Sequence, residues 1–300
     1  MQFQQTLKKN YSFEGKGLHT GKYAHMTVCP APVNTGIVFV RTDADNATVT
    51  ALAENVSNTA RSTTISQNGA SVSTIEHILS ALTGMGVDNA LIEIDNIEVP
   101  ILDGSAKPYI DAIWADGFEL QDEPRKYIEI KETVEVVNEE VGSIVRIEPA
   151  EDFSYDIKVD FNSRVLGVQH AVWNPSVVYA EEIGVCRTFV FFHEIEFLFN
   201  NGLVKGGDVD NAIVIVEHPV TEQQISRMSE LFNIPALSVR EDGYLSNLQL
   251  RFPNECSRHK LLDLIGDLRL CGGFLKAKVT AEKAGHGINT TAAKAVRKQL

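Results

Sequence analysis

The stretch RHKLLDLIGDL, residues 258–268, sets three reactive groups at a spacing that matters on a helix. His259, Asp263 and Asp267 stand four residues apart, so at about 100° per residue they share one narrow stripe. Leu261, Leu262, Leu264, Ile265 and Leu268 cover the other side. The stripe reads either as the solvated face of an amphipathic helix or as a metal-ligand pair, His259 and Asp263, with a further carboxylate one turn on. The stretch STIEHILSAL adds Glu76 and His77. Helix neighbours point about 100° apart, so both can border one cleft in different roles. Ser73-x-x-Glu76 also fits a capping box, and His77 fits an ordinary helix histidine. His286 in KAGHGINT and His19 in GLHTGK stand near glycines, which let a backbone approach something closely or simply turn. CRTF sets Thr188 beside Phe189.

These residues match the needs of a catalytic zinc site, which takes three protein ligands and keeps one position open. His259 and Asp263 supply a short-spaced pair and His77 a distant third ligand. A glutamate beside a ligand histidine is placed as a general base, as in zinc peptidases. A histidine across the site can serve as acid or cation.

The elements that must carry these groups are legible in the hydrophobic pattern. Short strands lead (AHMTVCPA, GIVFVRT, ATVTALAENV), followed by the helix TIEHILSALTGMG, the strand in NALIEIDNIEVPILDGS and the helix AKPYIDAIWADG, with Pro108 near its start. Charge and proline in LQDEPRK mark a boundary near residue 125. The second half restarts with the strands YIEIKETVEVVN, GSIVRIEPA and SYDIKVDFN. It continues with a helix over RTFVFFHEIEFLFNNG, stopped at Asn201-Gly202, the strand NAIVIVEH and a helix around TEQQISRMSELFN. The metal helix, the strand FLKAKVTAEK and a last helix NTTAAKAVRKQL complete the chain. Residues 1–125 and 126–300 thus each run from strands to helices, which predicts two α+β layers packed together. No repeat in the residues themselves marks a duplication.

The 300 residues are 44% hydrophobic and 22% charged, with a formal net charge of -13. That balance argues against a nucleic-acid partner, since neutralising phosphates takes clustered Lys and Arg. The four cysteines form no C-x-x-C pair, which points to a reducing compartment. MQFQQTLKKNYSF has no apolar core of a signal peptide, and no apolar run approaches a membrane span. A cytoplasmic protein is the expectation.

Six blocks, GLHTGK, STIEHILSAL, PILDGSAKPYI, RTF, RHKLLDLIGDL and AGHGINT, resemble in this order the UDP-3-O-acyl-N-acetylglucosamine deacetylases, a zinc-dependent family of lipid A synthesis in Gram-negative bacteria. The resemblance runs from about Gln5 to Leu300. It implies a pair of similar α+β domains with helical layers facing and the site between them. It implies His77, His259 and Asp263 as zinc ligands, with iron(II) the other candidate metal, and Glu76 as the base that activates water. Thr188 and His286 would hold the oxyanion, His286 would protonate the leaving amine, and Asp267 would orient His286. Lys260 would face the diphosphate or sugar, with His19 also at the substrate. An insert at about residues 189–216 would hold the acyl chain, with Phe189, Ile195, Val204 and Gly207 as walls, and Phe161 would stack on the uracil.

Arg61 and Ser62 depart from the apolar or cysteine residues of many members, and the connection 221–248 is longer than the family leads one to expect and suggests no function. The sequence style also resembles members fused to a C-terminal 3-hydroxyacyl-carrier-protein dehydratase; by itself this chain is expected to be a monomer. Two other readings compete. One is a zinc amidase acting on another acylated amine, against which the acyl insert and Lys260 speak. The other is a non-catalytic nucleotide-sugar binder with a structural metal, which would leave Glu76 and His286 without a task.

Overall fold

Period-two segments bury one face of a strand. In Ala90–Ile94, Ala90, Ile92 and Ile94 are buried while Glu93 is exposed. The chain is described by a computed structural model over residues 2–200, 205–208, 210–231 and 237–300. Ala90–Ile94 is the central strand of a five-stranded sheet. It runs antiparallel to the hairpin Tyr11–Lys16/Tyr23–Pro30 on one side and parallel to the hairpin Ile37–Arg41/Ala47–Thr50 on the other. Phe274–Glu282 holds the same place in the second half. It runs antiparallel to the hairpin Val134–Asn138/Ser143–Pro149 and parallel to the hairpin Ser154–Asp160/Val168–Trp173. The fold is α+β, and its two halves repeat one strand order that no residue-level repeat revealed.

The described residues form helices α1 (Glu76–Gly84), α2 (Lys107–Trp114), α3 (Tyr179–Glu182), α4 (Phe192–Asn200), α5 (Glu222–Leu231), α6 (Glu255–Leu268) and α7 (His286–Arg297). Each central strand follows one long helix, α1 or α6, and precedes another, α2 or α7. α1 and α6 pack directly on each other, so the helical layers face as expected. Their contact is close because Gly266 has no side chain: a Cβ there would lie 2.0 Å from the Glu76 carbonyl oxygen. Gly266→Ala must push the helices apart at the level of Glu76. It should cost about 1–3 kcal/mol, typical of overpacking, read as a lower urea midpoint; an unchanged midpoint would show that the contact gives way freely.

Three sequence expectations need correction. The amphipathic reading of α6 fails: its leucine face is buried, but so are His259, Asp263 and Asp267, at 2, 3 and 0% exposure. The helix from Arg187 begins instead at Phe192, because Phe189–Phe191 is a strand paired in parallel with Ile213–Ile215. The last helix starts at His286, not after it, with extended Gly285 preceding it and the Asn289 N–H bonded to the Gly285 carbonyl. Asn201, Gly202 and Val204 lie outside the described residues.

The connection 221–248 has a packing role. Met228, Leu237 and Leu245 form an apolar cluster with Phe192, Ile195, Val214 and Val216 of the insert, so the insert carries a small core of its own. No helix among the described residues is long and apolar enough to cross a membrane.

Candidate metal and acid–base site

His77, at the first turn of α1, and His259 and Asp263, one turn apart on α6, converge where the two helices cross. Asp263 Oδ1 lies 3.4 Å from His259 Nε2 and 3.7 Å from His77 Nε2. The ligand atoms all fall within 4.8 Å of one another. The chemistry of this donor set fits a divalent cation. Asp263 Oδ1 is buried with no hydrogen-bond partner, an arrangement that costs free energy unless something cationic meets it. His259 Nδ1 faces the Cys186 carbonyl at 3.0 Å, which fixes the ring and leaves Nε2 for a metal. Burial, then neighbouring His259, pushes His77 down to about 3, and burial lowers His259 as well. Both rings are therefore neutral, the form a ligand requires.

The other oxygen of Asp263 accepts from Lys260 Nζ at 2.7 Å. Burial opposes ionisation of Asp263, but Lys260 and the three nearby histidines outweigh it and hold the carboxyl well below the usual range. Lys260, expected to face the diphosphate or sugar, thus has its ammonium on the Asp263 carboxylate. Its side chain is 13% exposed.

Glu76 borders the same space. Sequence offered it a capping-box role; instead Ser73 ends a strand and its hydroxyl donates to the Ile97 carbonyl. Glu76 Oε2 accepts the Thr63 backbone N–H at 3.0 Å, and Oε1 lies 3.9 Å from His286 Nε2. Burial raises Glu76 to about 7, with Asp267 and Asp263 adding to the rise and His286 opposing it. His286 is the converse case. Burial alone would discharge it, but Asp267, Glu76 and Asp263 together raise it to about 9. Its Nδ1 lies 2.9 Å from Asp267 Oδ2, so the ring is held through one nitrogen with Nε2 turned to the site. The expected pairing of Asp267 with His286 is present.

Several contributors escaped sequence reasoning. Thr63, fully buried, donates its N–H to Glu76 and its hydroxyl to Asp267 Oδ1 at 2.6 Å, so one residue sets both carboxylates. Asn289 Nδ2 holds Asp267 Oδ2 at 2.9 Å. Glu98, buried, clamps the GLHT loop by accepting from the His19 and Thr20 N–H groups, each at 2.8 Å. Arg187 and Glu255 form a buried ion pair at 2.9 Å that ties the segment just before Thr188 to the start of α6. Thr63→Val keeps the N–H and the volume but removes the hydroxyl. It should lower kcat about tenfold or more at unchanged KM, with Thr63→Ser restoring it; equal kcat in all three would remove Thr63 from this role.

The remaining predicted residues lie around this centre. Thr188 is half-buried. Its N–H donates to the Gly104 carbonyl and its own carbonyl accepts from Ile213, both at 2.8 Å. The motif glycine Gly104 has φ +78°, and a Cβ would lie 1.9 Å from the Asn211 carbonyl oxygen, so only glycine fits there. Both ring nitrogens of His19 are buried without a partner, and burial lowers its pKa. Phe189 lies edge-on to His259 at 6.4 Å and to Phe161 at 5.6 Å, which joins the insert to α6. Phe161 is 45% exposed, whereas Ile195 is buried in the insert's own core. Gly207 is half-buried next to Gly206, whose N–H bonds to the Leu18 carbonyl. Arg61 forms an ion pair with Glu194 of α4 at 2.9 Å, so the loop that ends at Thr63 also grips the insert.

The sequence matches the family model of UDP-3-O-acyl N-acetylglycosamine deacetylase (LpxC) over residues 4–234 and 233–298. A protein named bifunctional enzyme LpxC/FabZ from Porphyromonas gingivalis is 42% identical over all of this chain and 65% of its own length. The one from Bacteroides thetaiotaomicron is 41% identical over 99% of this chain and 65% of its own. A protein named UDP-3-O-acyl-N-acetylglucosamine deacetylase from Saccharophagus degradans is 40% identical over 95% of this chain and 87% of its own. This chain therefore spans about 65% of the length of its bifunctional relatives. With match and site geometry in agreement, the chain belongs to the LpxC family of UDP-3-O-acyl-N-acetylglucosamine deacetylases.

Proposed function

We propose that the chain hydrolyses the N-acetyl group of a UDP-3-O-acyl-N-acetylglucosamine, releasing acetate and the free amine, in lipid A synthesis and in the cytoplasm. The observation that carries this reading is the convergence of His77, His259 and the unpartnered Asp263 Oδ1 beside Glu76 and His286, within a family member. The donor set suits zinc, with iron(II) as the other candidate. Zinc, when bound, supplies Lewis acidity and makes water easier to deprotonate at neutral pH.

The protein residues do the rest. Glu76 Oε1, with Oε2 held by Thr63, takes the proton of the attacking water. The His286 cation faces the charge that develops on the amide oxygen, and the Thr188 hydroxyl can donate to that oxygen. His286 Nε2 then gives its proton to the leaving nitrogen, while Asp267 keeps the ring in place. Phe189 begins the acyl passage, with Ile195 supporting its wall from the insert core and Gly207 further along it; Val204, a wall residue that the resemblance implies, lies outside the described residues. Phe161 offers an exposed ring for the uracil. His19 and Lys260 border the sugar and diphosphate side. The share of the bifunctional relatives that this chain spans supports a native fusion to a dehydratase domain.

Acetate release from the acylated substrate, measured before and after chelation and after zinc is restored, tests the reading. Loss with chelator and return with zinc is expected; no release from a folded, zinc-loaded chain refutes it. The pH profile adds a second check. Glu76, at about 7, works ionised, so kcat/KM should rise with pH through its pKa. His286, at about 9, works protonated, so kcat/KM should fall with pH through its pKa. A cation on Asp263 lowers both pKa values.

A further inference from the structure

Away from the metal ligands, a cavity of about 630 Å³ opens where the C-terminal ends of α1 and α6 meet the second sheet. None of the residues assigned above to the reaction borders it. Arg125, Arg269, Phe153, Tyr155, Trp173 and Phe274 line it, and its volume lies in the range of small-molecule sites.

Its charge is unbalanced. The side chains of Arg125 and Arg269 are both buried, the first 4% exposed and the residue Arg269 5% exposed. One buried carboxylate, Asp88, faces them. Arg125 takes that carboxylate, with its Nη2 2.7 Å from Oδ2. Arg269 Nη2 donates to the backbone carbonyls of Val87 and Asp88 at 3.0 and 3.1 Å. Its Nη1 is buried with no hydrogen-bond partner. Both guanidiniums lie over the Phe274 ring, at 4.1 and 4.3 Å from its centre, so neither swings out easily to water. Burial lowers Arg269 to about 10, with Asp88 opposing the shift and Arg125 adding to it, which leaves it a cation at neutral pH. The other carboxylates on the cavity, Glu151 and Asp152, are exposed at its rim. A buried cation that shares one carboxylate and keeps an unused donor is costly, and an anion in the cavity would offset the charge.

We propose that this cleft is a second ligand site, which takes an organic anion whose carboxylate or phosphate head lies against the Arg125–Arg269 pair and whose apolar body lies against Phe153, Tyr155 and Trp173. Arginine suits either head group, and the aromatic wall selects an amphiphilic ligand over a bare inorganic ion. The site stands independently of the deacetylase reading.

The test is thermal unfolding of the full chain with octanoate, octyl phosphate or the neutral octanamide. A ligand that binds only the folded chain raises its melting temperature. One or both anions should raise it saturably by a few degrees, octanamide should not, and the arm that responds identifies the head group. Arg269→Met should remove the shift. Phe153→Asp, at the half-exposed wall with both arginines kept, should also remove it. No shift with either anion overturns the proposal and leaves Arg269 a hydrated structural residue. A shift that persists unchanged in a folded variant overturns it too, because the anion then binds elsewhere, the acyl passage included.

Discussion

Glu76→Gln should leave the chain folded and able to hold its metal while lowering kcat by about 10²–10⁴-fold, the usual worth of a positioned general base. Glutamine keeps the volume and an oxygen that can accept the Thr63 N–H, so the local structure has no reason to change. What disappears is the acceptor at Oε1. Burial already raises the carboxyl to about 7, which suits a base near neutral pH because the proton is taken readily and given up readily. The same substitution removes one of the carboxylates that raise His286, so the alkaline limb of any residual activity should move to lower pH. Steady-state kinetics and metal content on the same sample decide the matter. Undiminished kcat would remove Glu76 from the base role, and loss of metal with loss of activity would make it a ligand instead.

Asp263→Ala should cost more than activity. The aspartate carries the unpartnered Oδ1 between two histidines and, through Oδ2, the ion-pair contact of Lys260. Removing it leaves a buried ammonium without its carboxylate. Breaking a buried pair from one side costs roughly 3–5 kcal/mol, visible as a lowered urea midpoint. Metal affinity should fall at the same time, since two neutral imidazoles remain. Asp263→Asn separates the two effects: it keeps the shape and a weak oxygen ligand but not the charge. Equimolar metal retained after dialysis in Asp263→Ala, with an unchanged unfolding midpoint, would refute the ligand assignment.

Much of this site was legible because helix geometry converts sequence spacing directly into direction. His259, Asp263 and Asp267 at intervals of four had to share a stripe, and Glu76 next to His77 had to face a neighbouring sector. The α+β class followed from period-two strands that alternate with helices. The burial of that stripe did not follow, because a charged face reads the same whether it meets water or another helix; α1 decides the question by packing on α6 at Gly266. The capping box failed for a related reason. A glutamate three residues after a serine serves the local motif only when no better donor comes near, and the Thr63 N–H, brought in by a loop, took its place.

By itself, then, the sequence determined which side chains could do the chemistry, their grouping along each helix and the α+β class. Those properties depend on residue type and on contacts within a few positions. Only the tertiary structure decided that Thr63 binds the Glu76 and Asp267 carboxylates at once, that Lys260 rests on Asp263, and that the halves repeat one strand order. It also decided that the connection 221–248 is core for the insert, and that two buried arginines share a single carboxylate. Each of these depends on partners far apart in the chain, and nothing in local spacing encodes which distant donor reaches a buried acceptor first.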